Sequence, residues 1–160
     1  IALGRLPHLP HSVQPAARDQ AAIDSAIARM GLESFRTRIA TQLSGGAQAR
    51  VLIARALAQP TPVLMVDEPT AGLDPAHQLG LMQVLADAAG AGRSIIASMH
   101  DLGLAARYCT RLVVLWHGGI AADGPPEAVL TPELLADVFQ IRAHIQHGPN
   151  GPIIQPVGVI

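Results

Sequence analysis

One pairing of short segments constrains the fold of this chain more than any other feature. A glycine turn opens a helix, and a strand ending in two carboxylates follows closely. The turn is Ser44-Gly45-Gly46, here named the glycine turn, and a helical apolar pattern runs from it to residue 58. Residues 63–66 are apolar and partly β-branched, which predicts a buried strand, and Asp67-Glu68 follow at once. A helix that leads into a strand in this way is typical of a layered α/β domain.

Helical and strand patterns alternate along the rest of the chain. They predict helices at about 18–30, 32–39, 75–89, 102–108, 126–130 and 132–139, a second buried strand at 94–98, further strands at 112–116 and 120–122, a turn at Gly118-Gly119, a hairpin after Ile141, and an irregular, proline-containing connector at 1–15. This alternation predicts an α/β fold with a mostly parallel sheet.

Composition narrows the class of protein. A chain of 160 residues with 49% hydrophobic and 14% charged residues can fold around a core. Its net charge of -1 argues against a surface that holds nucleic acid by charge, so no nucleic-acid partner is expected. No apolar run approaches the roughly 20 residues of a membrane span. The single cysteine, Cys109, cannot form an internal disulfide, which fits a reducing cytoplasm.

All eleven basic residues are arginines, and lysine is absent. A P-loop needs the pattern Gly-x-x-x-x-Gly-Lys-[Ser/Thr], because its lysine reaches the β- and γ-phosphates of a nucleotide. The chain therefore carries no P-loop of this form. We expect it to be the later part of a longer protein, or a natural remnant of one.

The glycine turn is suited to hold an anion. Free backbone N–H groups and the positive end of the helix dipole gather at a helix N-terminus, and glycine lets an anion approach the backbone closely. The Ser44 hydroxyl adds a donor. A turn in which Ser44 only caps the helix is the simpler alternative. Leu43 before the turn and the apolar segment 50–57 after it favour the anion site.

Asp67 and Glu68 stand where a parallel sheet places its ligands, at the carboxyl end of a strand. Asp67 is predicted to bind Mg²⁺, usually through water, and Glu68 to orient an attacking water or accept its proton. A polar loop after a strand is the alternative. Asp67 lies only 23 positions after Ser44, and Gly72-Leu73-Asp74 follow directly, which favours the catalytic interpretation.

The histidines give weaker evidence. His100 follows a predicted strand, where it could donate a hydrogen bond to a γ-phosphate and sense its loss, although a structural role is commoner there. Two pairs have His-x-x-His spacing without a carboxylate or cysteine partner, and both are predicted to be solvated loop residues, not metal ligands. They are His8 with His11 and His144 with His147.

The order of these segments resembles the nucleotide-binding subunit of an ATP-binding-cassette (ABC) transporter, and the resemblance covers essentially the whole chain. It implies that ATP and Mg²⁺ are the cofactors. The implied roles are ATP contacts for Ser44, Gly45, Gly46, Gln48 and Asp74, Mg²⁺ binding for Asp67, and catalysis for Glu68 and His100. Ala47 departs from the usual Gln or Glu of the family, and Ala49 from a commoner polar residue. A side-chain contact to the nucleotide or the neighbouring loop is therefore in doubt, while the backbone cradle remains.

The resemblance also implies an architecture and a function. The fold would be a partial P-loop NTPase (RecA-like) core plus part of the ABC helical subdomain, with residues 1–58 in the subdomain and 59–160 in the core. Four segments are similar to the ATPases of importers for iron-siderophores, haem and vitamin B12. These segments are 2–8, 74–78, 107–109 and 129–135. The implied partners are a second nucleotide-binding subunit, most simply as a homodimer, and transmembrane permease subunits. The implied location is peripheral, on the cytoplasmic face of the plasma membrane.

Two rival functions remain at the level of sequence. A non-catalytic regulatory or interaction subunit, whose glycine turn completes a partner's ATP site, would fit a naturally truncated chain. A chromosome-maintenance ABC ATPase would carry long coiled-coil arms before the glycine turn, and residues 16–43 hold no sustained heptads.

Overall fold

The computed structural model describes residues 1–8, 16–149 and 151–160. The chain divides into two compact units, Ile1–Ser98 and Met99–Ile160. Within the described ranges, no helix combines the length and the apolar character that a membrane span requires. The glycine turn, Asp67, Glu68 and Asp74 belong to the first unit, whereas His100 belongs to the second.

The first unit alternates helices with two strands. Its elements are α1 (Ala17–Arg29), α2 (Gly45–Leu57), β1 (Val63–Asp67), α3 (Pro75–Gly90) and β2 (Ser94–Ser98), with 3₁₀ helices at Ala2–His8, Glu33–Phe35 and Ala40–Gln42. Side chains cap the two helices that flank β1, because Ser44 accepts from the amide of residue 47 and Asp74 from the amide of residue 77. Pro75 occupies the first turn of α3, where its missing N–H costs nothing.

Strands β1 and β2 pair in parallel, with Leu64 opposite Ile95 and Asp67 opposite Ser98. Leu64 is buried, whereas the exposed fractions of Met65 and Ile96 are 73% and 53%. The prediction of two buried strands was therefore wrong for one face. Helices α2 and α3 contact this two-stranded sheet, and the alternation of side chains along each strand leaves the Met65 face open to solvent.

The C-terminal end of α2 is fastened by two arginines. Arg93 donates to the carbonyl of Leu57 at 3.2 Å and to that of Gln59 at 2.5 Å, and Arg5 donates to the carbonyl of Ala58 at 2.9 Å. These carbonyls have no partner within the helix, so charged donors satisfy them. The bonds tie α2 to the 3₁₀ helix before α1 and to the start of β2.

Arg5 is itself held by a buried carboxylate. Its Nε donates to Asp19 Oδ1 at 2.8 Å, and its Nη2 lies 2.5 Å from the same oxygen. The side chain of Asp19 is fully buried, and its other oxygen accepts from the Ala16 amide at 3.1 Å. The hydrogen bonds from Arg5 hold the pKa of Asp19 below its ordinary value, so this buried pair stays ionised.

The second unit consists of two hairpins and three short helices. Its elements are α4 (Leu102–Tyr108), β3 (Leu112–Trp116), β4 (Gly119–Gly124), α5 (Pro126–Val129), α6 (Pro132–Asp137), β5 (Ile141–Gly148) and β6 (Gly151–Val159). Both strand pairs, β3–β4 and β5–β6, are antiparallel. Ala106, Leu130 and Leu135 form its core, against which residues of β5 and β6 pack.

The predicted element types largely hold, with a few exceptions. The α/β class and the terminal hairpin are confirmed, but only β1 and β2 pair in parallel among the described residues, so the parallel sheet is smaller than expected. Residues 2–8 form a 3₁₀ helix that contains Pro7, although a connector was predicted. Residues 32–39 form only one 3₁₀ turn, Glu33–Phe35. His11, part of one predicted solvated pair, lies outside the described residues.

Candidate functional site

Ser44 shapes the N-terminus of α2. Its Oγ accepts a hydrogen bond from the Ala47 amide at 3.4 Å, and its carbonyl accepts from the Gln48 amide at 2.9 Å. Because Oγ is the acceptor in the first bond, the hydroxyl hydrogen is not used there. Helix geometry gives the amides of Gly45 and Gly46 no carbonyl in a preceding turn. Ser44 and Gly45 are exposed, so donors and the positive end of the helix dipole face solvent together.

The two glycines of the turn have different surroundings. A Cβ added at Gly45 would meet nothing within 4 Å, so open space lies beside this backbone. A Cβ at Gly46 would lie 3.2 Å from Leu73 Cδ2 and 3.8 Å from the Gly72 carbonyl oxygen. Gly45 therefore leaves room for an incoming group, and Gly46 permits close packing within the chain.

The residues after the turn brace it. Gln48 Nε2 donates to the Leu43 carbonyl at 2.8 Å and so closes the chain around the start of α2. Ala47, where the resemblance leads us to expect Gln or Glu, is buried with 4% of its surface exposed. A direct ATP contact from Gln48 stays a prediction, since its amide nitrogen is engaged within the chain.

The Ser98 hydroxyl forms hydrogen bonds with both Asp67 and Glu68. Its Oγ donates a short hydrogen bond to Asp67 Oδ1 and accepts from the Glu68 amide at 3.0 Å. Asp67 and Ser98 are register partners on the open face of the parallel pair, which explains their contact. Asp67 and Glu68 are both exposed, so their carboxylates can reach a ligand at the carboxyl end of the sheet.

Glu68 adopts a left-handed backbone conformation, with φ at +41°. Non-glycine residues rarely adopt positive φ, and such strain is concentrated at functional sites. The strained residue begins a loop, residues 68–74, here named the Asp74 loop. Within it the Ala71 amide donates to the Glu68 carbonyl at 3.0 Å, and the Leu73 amide to the Thr70 carbonyl at 3.3 Å. Glu68 is thus built into a hydrogen-bonded turn.

Asp74 ends the loop and caps α3. Its Oδ1 accepts from the His77 amide at 3.0 Å, and its Oδ2 lies 2.6 Å from His77 Nδ1. The hydrogen bond from the His77 amide, followed by that from the His77 ring, lowers the pKa of Asp74. Asp74 and His77 are both exposed, so the pair remains open to a partner surface.

Three residues of this arrangement were missed by the sequence interpretation. Ser98 could have been found from register, because equal-length parallel strands place it opposite Asp67. His77 could have been found as the third residue of a helix that Asp74 caps. No sequence signal indicates that Leu73 packs beside Gly46. His100, exposed in the second unit two residues beyond β2, keeps its predicted role as a prediction only.

The residues present fit a nucleotide phosphate and a magnesium ion. The Gly45 backbone lies beside open space at the N-terminus of a 13-residue helix, where an anion can approach it. The Asp67 carboxylate is an oxygen ligand of the type that Mg²⁺ prefers. No group of three or more His, Cys, Asp or Glu residues with metal-site geometry occurs in the described part of the chain. A single carboxylate would therefore hold the ion together with phosphate oxygens and water.

Comparison with known families and proteins gives a consistent result. The family model described as "ABC transporter" matches residues 5–71. The chain is 44% identical over 150 residues to the cobalamin import ATP-binding protein BtuD of Halobacterium salinarum, covering 93% of this chain and 37% of that protein. It is 45% identical over 149 residues to the hemin import ATP-binding protein HmuV of Nocardia farcinica, covering 93% and 51%. The chain thus spans about half or less of the length of these relatives.

Solved structures share the fold. An inward-facing metal-chelate type ABC transporter superposes with a TM-score of 0.83 at 24% identity, covering 99% of this chain and 64% of that one, and it supports the fold alone. The dimeric bacterial ABC transporter cassette MJ0796 matches with a TM-score of 0.69 at 28% identity, covering 78% and 54%. Both the mixed α/β class and its partial character are therefore confirmed.

Proposed function

We propose that the chain belongs to the ABC transporter family of ATP-binding proteins, whose model matches residues 5–71, and that it is the later part of an importer's ATP-binding subunit. The longer protein, here named the full-length parent, would supply the P-loop that a chain without lysine lacks. In this proposal the parent couples ATP hydrolysis to import, and the 160-residue chain is inactive by itself.

One observation carries the proposal. Ser98 ties Asp67 and the backbone of a strained Glu68 together at the carboxyl end of a parallel strand pair, while a capped glycine turn with open space at Gly45 begins the helix before that pair. A purely structural loop does not require the positive φ at Glu68, and a helix cap does not require open space beside Gly45. Both features serve a site that binds phosphate and handles a proton.

Each residue has a proposed role. Asp67 holds Mg²⁺ through water, and Glu68 accepts the proton of the attacking water. Ser44, Gly45 and Gly46 donate hydrogen bonds to the γ-phosphate of the nucleotide held by a second copy, with Gln48 bracing the turn. Asp74 faces the second copy, and His100 donates to the γ-phosphate. When bound, Mg²⁺ neutralises developing phosphate charge, so the chain's part is positioning and charge stabilisation.

The subunit is proposed to work as a homodimer that joins transmembrane permease subunits at the cytoplasmic face of the plasma membrane. The relatives' names point to cobalamin or haem as the class of cargo. The four segments similar to importer ATPases add iron-siderophores as a third alternative. Residues 1–58 would form part of the helical subdomain and residues 59–160 part of the catalytic core.

Glu68→Gln in the full-length parent tests the proposal. The amide keeps the shape of the side chain but cannot take a proton, so kcat should fall roughly 10²–10⁴-fold while ATP binding persists. Size-exclusion chromatography with ATP should then detect a trapped dimer. Turnover close to that of the unsubstituted protein would show that Glu68 is not the base.

A non-catalytic subunit is the second candidate, and the absence of lysine is the observation that favours it. Such a chain would use its glycine turn to complete the ATP site of a different protein. An in-frame Gly-x-x-x-x-Gly-Lys-[Ser/Thr] upstream in the genomic DNA would support the importer subunit. A stop codon or an unrelated gene directly upstream would support the second candidate.

A further inference from the structure

Leu73 connects two parts of the site that sequence interpretation treats separately. Its side chain is buried, with 9% of its surface exposed, and its Cδ2 lies 3.2 Å from the position that a Cβ at Gly46 would take. That separation is tighter than ordinary van der Waals contact, so a methyl group at residue 46 would require the Leu73 side chain to move by a few tenths of an ångström. Gly45, the neighbouring residue, has open space on its Cβ side.

We propose that Leu73 is a positioning residue that couples the glycine turn to the Asp74 loop within one chain. This inference rests on the proposed function, because it assigns Leu73 a role in the composite ATP site. Leu73 contacts no reacting group in the proposal. It acts by fixing where the loop that carries Glu68 and Asp74 lies against the first turn of α2.

The hydrogen bonds of the Asp74 loop explain how a displacement at Leu73 would spread. The Thr70 carbonyl accepts from the Leu73 amide at 3.3 Å and from Gln78 Nε2 at 3.3 Å, which ties the loop to α3. Thr70 is itself buried, with 8% of its surface exposed. The Ala71 amide closes the turn on the Glu68 carbonyl. A displacement that moves the Leu73 backbone would therefore strain its bond to Thr70, and Thr70 is linked to α3 through Gln78.

In the proposed dimer, the contact between Leu73 and Gly46 links residues that act on two different nucleotides. In the proposed dimer, the glycine turn contacts the nucleotide of the second copy, while Asp67 and Glu68 act on the nucleotide of their own copy. The contact between Leu73 and Gly46 joins these two sets of residues inside one chain. Occupancy at the glycine turn would thus be transmitted to the loop that holds the base.

A steric rescue experiment in the full-length parent tests the inference. Gly46→Ala should push Leu73 aside and lower kcat about tenfold, equivalent to about 1.4 kcal/mol, a usual cost of overpacking. Adding Leu73→Ala should recover most of that loss, because the shorter side chain makes room for the new methyl group. The KM for ATP should change less than kcat, since Leu73 touches no nucleotide.

Gly45→Ala is the matched control. Its methyl group enters open space on the ligand side, so its loss of activity should not be recovered by Leu73→Ala. A double variant Gly46→Ala/Leu73→Ala no better than Gly46→Ala alone would overturn the inference. Equal rescue of Gly45→Ala would overturn it as well, because the effect of Leu73 would then be unspecific.

Amide hydrogen exchange separates failure of this inference from failure of the proposed function. In the full-length parent, Gly46→Ala should speed exchange across residues 70–77, and Gly45→Ala should not. Hydrogen exchange needs no ATPase activity, so it tests the contact between Leu73 and Gly46 even if the parent proves inactive. A parent with Glu68-dependent ATPase activity but neither rescue nor the exchange pattern would refute the role of Leu73 alone.

Discussion

The Ser98 hydroxyl links Asp67 and Glu68 by hydrogen bonds. One hydroxyl donates to the carboxylate of Asp67 and accepts from the backbone of Glu68, so both acidic residues are fixed by the same oxygen. We predict that Ser98→Ala in the full-length parent lowers kcat roughly tenfold, as expected when a hydrogen bond to a charged group is lost. Ser94→Ala, at the other end of the same strand, should leave kcat unchanged. Equal losses in steady-state assays of both variants would contradict this role.

The second prediction at the residue scale concerns how the contribution of Asp74 to folding stability depends on pH. The hydrogen bonds from His77 lower the pKa of Asp74 in the folded state below its ordinary value of 3.8. The ionised carboxylate therefore stabilises the fold above that ordinary value, and this contribution is lost as pH falls through the lowered folded-state pKa. Asp74→Asn can still cap α3 but does not titrate.

The free energies of unfolding of the unsubstituted chain and Asp74→Asn should accordingly differ most near neutral pH and converge in acid. Urea denaturation at pH 7 and at about pH 3 measures this difference. Comparing the two proteins cancels the titration of the other carboxylates, among which Asp19 and Asp24 also have lowered pKa values. A difference that grows in acid would contradict the assignment.

At the scale of elements, α2 is fixed at both ends. Ser44 caps its N-terminus, and the guanidinium groups of Arg5 and Arg93 donate hydrogen bonds to carbonyl oxygens at its C-terminal end. The glycine turn can present its amides in a defined direction only if the helix behind it is held. Asp19 supports this arrangement indirectly, since it pairs with Arg5 in the interior.

Asp19→Ala should therefore destabilise the chain far more than Asp24→Ala, although both residues lie on α1 and both pair with arginine. Asp19 is fully buried, and its removal leaves the Arg5 charge buried without its partner. Asp24 pairs with Arg36 at 2.7 Å on the surface, where such pairs contribute little. Thermal unfolding of the two variants measures the difference. Similar melting temperatures would contradict a supporting role for the buried pair.

Elements with a strong local signal could be predicted from the sequence, and those set by distant contacts could not. The cap at Ser44, the prolines after α2 and the Asp74-Pro75 start of α3 are local, and both helices were placed within a residue or two. The exposure of Met65 could not be read from a short apolar run, because it depends on what covers the strand. The Gly46–Leu73 contact depends on how α2 packs against the Asp74 loop. The spacing of apolar residues in the sequence does not predict that packing.

At the scale of the whole molecule, exposed apolar side chains form a surface to which further protein could bind. Met65, Ile96 and Val63 form one such surface on the open face of β1 and β2. The sheets of the described residues each contain only two strands, whereas stable sheets usually hold more. Together with the absence of lysine, this supports the proposal that the chain acts as part of a longer protein.

The central claim is that the glycine turn acts on the nucleotide of a second copy, whereas Asp67 acts on its own. Two lesions in the full-length parent separate these roles. Ser44→Arg would fill the helix N-terminus and block phosphate there. Asp67→Asn would weaken the metal site. In a mixed dimer of the two variants, one composite site carries both lesions and the other carries neither.

Phosphate release against mixing ratio is the measurement. The account predicts that each variant alone is nearly inactive and that an equal mixture recovers roughly a quarter of the unsubstituted activity, because half of the dimers are mixed and each has one intact site. Mixtures of each variant with unsubstituted protein show whether a single intact site turns over. If it does, and if confirmed mixed dimers of the two variants still recover no activity, the glycine turn does not act in trans and the central claim is wrong.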